Sequence, residues 1–287
     1  MRATLLEGKS ISKKIKETLK AEVEALKAKH GKAPKLLAIQ AGENTSSAVY
    51  VKAQAKAAEN LGIEYELKVL PESVSQAELD ALIMKANGDA GVIGIILQLP
   101  VPKAIDHKRV MGLISPGKDA EGMHPENLGK ILLGQYKIGP CTAMAVMELL
   151  ESTGVKLYGK EAVVVGHSEI VGKPLALMLL SKFATTTVCH IATGERGVLA
   201  EHVKRAEVLV VAVGKAGIVK GEWVKEGAIV IDVGINRVGE KILGDVEFEP
   251  AAERASYITP VPGGVGPLTT TILMRNVVEL FKSNQRG

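Results

Sequence analysis

An α/β fold in two domains is predicted by three observations. Short apolar runs alternate with stretches of helical periodicity, the order of a mostly parallel sheet. At 287 residues the chain is long enough for two such domains. The stretch at 162–174, AVVVGHSEIVGKP, sets an apolar run ahead of two glycines, with an apolar helical stretch at 175–180 behind them. Strand, glycine turn and helix in that order open a mononucleotide-binding βαβ unit of Rossmann type. Gly166 lets the backbone turn tightly, and Gly172 removes the side chain that would block a diphosphate at the helix N-terminus. The spacing is G-x5-G with Ser168 inside it, not the standard G-x-G-x-x-G, and a tight βα turn in any α/β domain has the same form.

Composition narrows the class. Hydrophobic residues make up 46% and aromatic residues 3%, so the core is large and aliphatic. The 36 basic and 32 acidic residues nearly balance, which is no nucleic-acid signature. Cys141 and Cys189 lack metal-like spacing, so free thiols in a reducing, cytoplasmic compartment are expected. The histidines His30, His107, His124 and His202 show no metal spacing either, and no metal is expected. No leader and no apolar run of about 18 residues is visible, so no membrane insertion is expected.

The elements follow in order. Residues 12–29 place Ile15, Leu19, Val23 and Leu26 on one helical stripe, ended by Gly31 and Pro34. Residues 36–40 read as a buried strand, 41–47 as a polar loop, and 46–61 as a helix closed by Gly62. A strand at 64–70, a helix at 76–87 with Leu79, Leu82 and Ile83 inward, and an apolar strand at 92–99 ending at Pro100 come next. Between 101 and 139 the periodicity fades and Pro, Gly, Asp and His accumulate, which predicts a crossover and cleft rim. Residues 142–153 form a helix leading into the second domain. Past the glycine turn, three strands are predicted at 186–190, 208–213 and 228–233. The last helix, 268–281, carries Ile272, Val277 and Leu280 on its apolar side.

Several stretches together resemble one family: SSAVYVKAQAKAAENLGI (46–63), IILQLPVP (95–102), KDAEGMHPENLG (118–129), VVVGHSEIVGKP (163–174), GAIVIDVGIN (227–236) and YITPVPGGVGP (257–267). In this order they are similar to the methylenetetrahydrofolate dehydrogenase/methenyltetrahydrofolate cyclohydrolase family, of the bifunctional type, almost end to end. The resemblance implies an N-terminal α/β folate-binding domain (1–140 plus 268–287) and a Rossmann-type NAD(P)-binding domain (141–267), with a folate cleft between them. It also implies a homodimer acting in one-carbon metabolism on a tetrahydrofolate one-carbon derivative, with neither nucleic acid nor membrane as partner.

Three departures from the family pattern matter. The family's substrate helix carries Tyr-x-x-x-Lys, with tyrosine stacking on the folate and lysine serving the cyclohydrolase. Here Tyr50 is kept and the lysine position is Gln54. Positions i and i+4 share a helix face, so both can meet one ligand. Lys52 and Lys56 point roughly 200° around at ~100° per residue and cannot easily substitute. Oxidising the methylene bridge is hydride loss from a carbon flanked by two nitrogens, which positioning alone largely serves. Opening the methenyl ring needs water addition and proton transfer, and glutamine has no titratable proton near neutral pH. General acid–base help contributes ~10²–10⁴-fold, so a dehydrogenase with weak or lost cyclohydrolase activity is expected. The readings left open are a fully bifunctional enzyme and a folate- or dinucleotide-binding paralogue without turnover.

The second departure is Glu121, where the family's aspartate bonds the pterin's aminopyrimidine face; glutamate keeps the charge about one methylene further out. Gln98, which in the family bonds the lysine, would here face Gln54. By the same resemblance Leu99, Pro100 and the loop residues Pro262, Gly263 and Gly264 line the substrate site, while His124 and Cys141 have no chemical role.

The third departure concerns the cofactor. NADP-dependent members often have Arg after the first glycine and Ser after the Cys-His pair, where this chain has His167 and Ile191. Both losses weaken a 2′-phosphate site. The loop at 193–198 looks longer than usual, and carries Glu195, suited to a ribose diol, and Arg196, suited to a phosphate. The balance leans to NAD over NADP. Ser168, Ile170, Val171 and Ile235 join Gly166, His167, Gly172 and Ile191 as expected cofactor contacts.

Overall fold

The computed structural model describes residues 2–42 and 45–284. Its strands in chain order are β1 (Thr4–Leu5), β2 (Lys35–Ala41), β3 (Glu64–Leu70), β4 (Gly94–Leu97), β5 (Glu161–Val165), β6 (Thr185–Cys189), β7 (Val208–Val211), β8 (Ile229–Asp232), β9 (Asn236–Val238), β10 (Lys241–Leu243) and β11 (Tyr257–Ile258). The chain forms two compact units, one of Lys14–Gly139 with Thr270–Gly287, the other of Met1–Lys13 with Pro140–Thr269.

The first unit is built on a parallel sheet in the order β3-β2-β4. Its central strand β2 reads Leu-Leu-Ala-Ile without alternation and is almost fully buried, as a parallel strand covered on both faces must be. β3 lies at the edge and is mostly exposed. Leu37, Ile39, Leu79, Ile83, Ile95 and Val110 share the core. The helix Gln76–Gly88 is started by a capping box: the Glu78 N–H donates to Ser75 Oγ, and the Ser75 N–H donates back to Glu78 Oε2. The helix Thr45–Leu61 agrees with expectation, while Glu43 and Asn44 of the expected polar loop lie outside the described residues. The span 101–139 is not structureless, since it contains helices His107–Leu113 and Pro125–Leu132. Each is about two turns, too short for a 3.6-residue period to register, and each is started by a side-chain cap, Asp106 and His124. The 118–120 segment runs beside β4: Ile95 N–H donates to the Lys118 carbonyl at 2.7 Å, and Ala120 N–H to the Ile95 carbonyl at 3.2 Å. Asn276 Nδ2 donates to the carbonyls of Ala120 (2.9 Å) and Gly139 (3.1 Å), fastening the last helix to this segment.

The second unit carries a six-stranded sheet in the order β1-β11-β8-β7-β5-β6, every pairing parallel. The expected strands appear as β6, shifted by one residue, and as β7 and β8, each two residues shorter than the run that announced it. β5, β7 and β8 are apolar throughout apart from their ends and contribute the buried Val163, Val165, Leu209, Val211 and Val230. β1, β11 and the antiparallel hairpin β9–β10 were not foreseen, because strands of two or three residues leave no period to read. The expected long loop at 193–198 is instead entered through a short helix, Ile191–Glu195. The His190 N–H donates to Thr193 Oγ1 at 3.2 Å, which ties that turn closed.

Candidate active site

The glycine turn after β5 behaves as its sequence implies. Gly166 sits at φ +125°, and a Cβ there would overlap the Ala212 carbonyl. A Cβ at Gly172 would overlap the Gly166 carbonyl, so the turn closes on itself only with both side chains absent. Ser168 organises it, accepting the Val171 N–H on its Oγ at 3.2 Å and the Lys173 N–H on its carbonyl at 3.0 Å. The helix Gly172–Ser181 starts from this turn without a side-chain cap, so its N-terminal dipole faces the space above the glycines. His167, Ser168 and Ile170 are exposed there, while Val171 is buried. The His167 and His190 rings approach to 5.4 Å.

Beside the turn lies a cavity of about 720 Å³ lined by His190, Ile191, Glu195, Val213, Lys215 and Trp223, among others. Ile191 is 76% exposed, an apolar platform at the end of β6. A second cavity of about 280 Å³ collects Ile235, Pro262, Gly263 and Gly264, and adds Lys9, which the sequence reading did not single out. The Gly8 N–H donates to the Gly263 carbonyl at 3.0 Å, bringing Lys9 alongside that loop.

The loops that rim these cavities are held by two buried acids that sequence reasoning also missed. Asp245 accepts the N–H groups of Val213, Gly214 and Lys215 (2.7, 2.9 and 2.8 Å) and Asn236 Nδ2 (2.8 Å). Asp232 accepts those of Gly234, Asp245 and Val246 (2.9, 3.0 and 2.8 Å). Burial pushes Asp232 up to about 6, against the pull of those N–H groups, and the Asp245 charge adds to the rise. An acid closing the apolar run Ile-Val-Ile-Asp was the available signal. A glycine cradle that a Cβ would fill, an uncapped helix N-terminus and an adjoining apolar cavity fit a dinucleotide.

In the first unit, Tyr50 and Gln54 stand one helical turn apart, Tyr50 52% exposed and Gln54 only 8%. Gln54 is therefore not an ordinary surface residue, while Lys52 and Lys56 are exposed on the other side of the helix. Gln98, 6% exposed at the end of β4, donates from Nε2 to Gln54 Oε1 at 2.9 Å, and Gln54 Nε2 returns a bond to Gln98 Oε1 at 3.4 Å. The Tyr65 hydroxyl donates to the same Gln54 Oε1 at 3.0 Å. Burial pushes the Tyr65 phenol up to about 12, so it remains a donor at neutral pH. Nothing in the alternation of an edge strand marks Tyr65 in the sequence. Leu99 and Pro100 continue from Gln98 and are exposed.

Glu121 follows the segment that runs beside β4. It is half-buried, not a loop carboxylate facing water. Burial, with the Asp119 charge second, pushes it up to about 7. Asp119 is fixed by the N–H groups of Gly122 (2.9 Å) and His124 (2.7 Å) and by Asn127 Nδ2 (2.9 Å). His124 acts structurally: its Nδ1 accepts the Glu126 N–H at 3.1 Å and starts a helix. Cys141 and Cys189 are buried cysteines. Among the described residues no cluster of metal-ligating side chains occurs, and no helix is long and apolar enough to cross a membrane.

Comparison with known proteins gives a consistent answer. Residues 6–121 match the tetrahydrofolate dehydrogenase/cyclohydrolase catalytic domain, and residues 140–285 match the NAD(P)-binding domain of the same family. The bifunctional protein FolD of Nitratiruptor sp. is 47% identical over 283 residues, covering 99% of both chains. The crystal structure of FolD, methylenetetrahydrofolate dehydrogenase/cyclohydrolase, from Campylobacter jejuni is 45% identical with a TM-score of 0.95, covering 98% of this chain and 99% of that one. That of the Trypanosoma brucei enzyme, complexed with NADP and an inhibitor, is 38% identical with a TM-score of 0.95 over the whole of both chains. The chain is thus a member of the tetrahydrofolate dehydrogenase/cyclohydrolase family, with an N-terminal catalytic domain and a C-terminal NAD(P)-binding domain.

Proposed function

We propose that this enzyme oxidises 5,10-methylenetetrahydrofolate to 5,10-methenyltetrahydrofolate, with NAD as the preferred dinucleotide, and that its cyclohydrolase step is weak or lost. When bound, the nicotinamide supplies the hydride acceptor. Gly166, Ser168 and Gly172 would hold the diphosphate at the helix N-terminus, and Ile191 and Ile235 would cover the faces of the dinucleotide's rings.

The observation that carries the reading is the Gln54 amide. It occupies the position where the family's lysine is expected, is buried, and is held by Gln98 and Tyr65. An amide can orient a substrate but can neither take nor give a proton near neutral pH. Hydride loss from the methylene carbon needs the substrate placed, with Tyr50 stacking on the pterin and Glu121 bonding its aminopyrimidine face. Ring opening by water needs a proton carrier as well. On this reading the Gln54 position retains the placement that the first step requires and lacks the proton carrier that the second requires.

NAD is favoured on Glu195 and Ile191, which line the large cavity alongside the cation Lys215. A carboxylate suits a ribose diol and repels a 2′-phosphate. By the same family reading the enzyme is a cytoplasmic homodimer.

A second reading rests on Glu121. A carboxyl pushed up to about 7 can both accept and release a proton at neutral pH, so it could take over the lysine's work and keep the enzyme bifunctional. Substituting Gln54→Lys decides between them. Cyclohydrolase activity should rise by ~10²–10⁴-fold on the first reading. Unchanged activity overturns it.

A further inference from the structure

The peptide planes on either side of Glu121 are both anchored. A side chain leaves its Cα between two planar peptide units, so fixing both planes fixes the Cα–Cβ bond. The first plane holds the Ala120 carbonyl, which accepts Asn276 Nδ2 at 2.9 Å. The second holds the Gly122 N–H, which donates to Asp119 Oδ1 at 2.9 Å. Asn276 Nδ2 also donates to the Gly139 carbonyl at 3.1 Å, so both hydrogens of the amide are used. Gly139 is the backbone against which Gly122 rests: Gly122 sits at φ +77°, and a Cβ there would overlap Gly139. One fully buried side chain of the helix Gly266–Asn284 thus braces the segment on both sides of Glu121. Its orientation is settled by its partners, since turning the amide over would set Oδ1 against two carbonyls.

We propose that Asn276 is a positioning residue, which aims the Glu121 carboxyl at the folate's aminopyrimidine by pinning the Ala120 peptide and its Gly139 backing. The inference rests on the reading of Glu121 as the group that bonds that face. β4 holds the segment as far as the Ala120 N–H, through the Ile95 carbonyl, and Asn276 holds the carbonyl that follows. Glutamate has one more rotatable bond than the aspartate expected here by resemblance. A fixed Cα–Cβ bond therefore removes freedom that would otherwise spread its carboxyl over more positions. The brace also keeps the carboxyl out of water. Its charged neighbour is Asp119, whose own carboxylate is taken up by Gly122, His124 and Asn127.

The test is steady-state kinetics from pH 6 to pH 8 on the purified full-length enzyme, for Asn276→Ala, Asn276→Ser, Glu121→Gln and the pair Asn276→Ala with Glu121→Gln. Asn276→Ala should raise the KM for methylenetetrahydrofolate at pH 8 by roughly tenfold, equivalent to ~1.4 kcal/mol, with the dinucleotide KM within about twofold. Burial is the main cause that pushes Glu121 up to about 7, so a loosened segment should bring it down. The fall in folate KM between pH 6 and pH 8 should then move to lower pH and flatten within this range. In the Glu121→Gln background Asn276→Ala should change the folate KM little further, since the carboxyl it aims is gone. Asn276→Ser keeps one donor and should give the same changes in smaller measure, and it supplies these readouts should Asn276→Ala fail to fold. A purely structural Asn276 would lower the melting temperature and leave the folate KM and its pH trend as they are, which overturns the inference. If Glu121→Gln itself leaves that KM and trend unchanged, the placement of Glu121 fails, and the inference with it. If Glu121→Gln abolishes the trend while the Asn276 variants keep it, only the inference fails.

Discussion

Asp232 and Asp245 are neighbours in the core of the second unit: Asp232 Oδ1 accepts the backbone N–H of Asp245 at 3.0 Å. Each then grips loops the other does not, Asp245 the Val213–Lys215 turn after β7 and Asp232 the Gly234 turn after β8. Val213 and Lys215 line the large cavity, and Ile235 the smaller one. Asp245→Asn would set an amide nitrogen against N–H donors, and each orphaned buried donor costs about 1–3 kcal/mol. The expected outcome is a clearly lowered melting temperature and a raised KM for the dinucleotide, with the folate KM unchanged. Differential scanning calorimetry and steady-state kinetics on the variant check it.

The glycine turn gives a sharper steric prediction. At Gly172 the obstacle to a Cβ is backbone, the Gly166 carbonyl, so no side chain can swing aside. Gly172→Ala should destabilise the fold by at least the ~1–3 kcal/mol typical of overpacking. It should also raise the dinucleotide KM more than tenfold by opening the turn, a factor of ten corresponding to ~1.4 kcal/mol. Gly194→Ala, where a Cβ meets nothing within 4 Å, is the matched control and should leave stability nearly unchanged.

Glu121 should give the enzyme's stability a pH dependence near neutrality. Its carboxyl titrates near the ordinary 4.5 when unfolded and is pushed up to about 7 when folded. Between those values the folded chain binds the extra proton, so this group's contribution to stability falls as pH rises from about 4.5 to 7. The melting temperature of the unmodified enzyme, measured relative to Glu121→Gln, should therefore drop across that window and level off above it. On the proposed contact between Glu121 and the aminopyrimidine, the charged form is the stronger acceptor, so the folate KM should decrease from pH 6 towards pH 8, a trend that Glu121→Gln should abolish.

Dinucleotide choice is tested at Glu195. Removing its charge with Glu195→Ser should weaken use of NAD and improve use of NADP, moving the ratio of the two kcat/KM values by roughly tenfold, the effect of about 1.4 kcal/mol. A ratio that does not move would show that the 2′ position is read by other residues.

The sequence made the long elements legible and lost the short ones. β2, β5 and the helices Thr45–Leu61 and Gly172–Ser181 carry several residues per period and were placed to within a few positions. β1 and β11 are two residues each, and no pattern can mark them. They form because a flanking parallel strand supplies the partners. The same limit applies to the site. Tyr50, Gln54 and Gln98 could be named because their spacing and neighbours resemble a family. Tyr65 and Lys9 could not, since each reaches its place through tertiary contacts, from an edge strand and from the chain's beginning. Glu121 was visible as a residue, but its rise to about 7 depends on a burial that no linear pattern reports.

The central claim is that oxidation survives while ring opening is impaired, and a coupled optical assay tests it most directly. Methylenetetrahydrofolate is supplied with NAD or NADP, and reduced cofactor and methenyltetrahydrofolate are followed together in a buffer where spontaneous hydrolysis is slow. The account predicts that both signals rise in step, with methenyl product accumulating and decaying at the rate of the enzyme-free blank, and with NAD the better substrate. Reduced cofactor rising while methenyl product is cleared faster than the blank would contradict it.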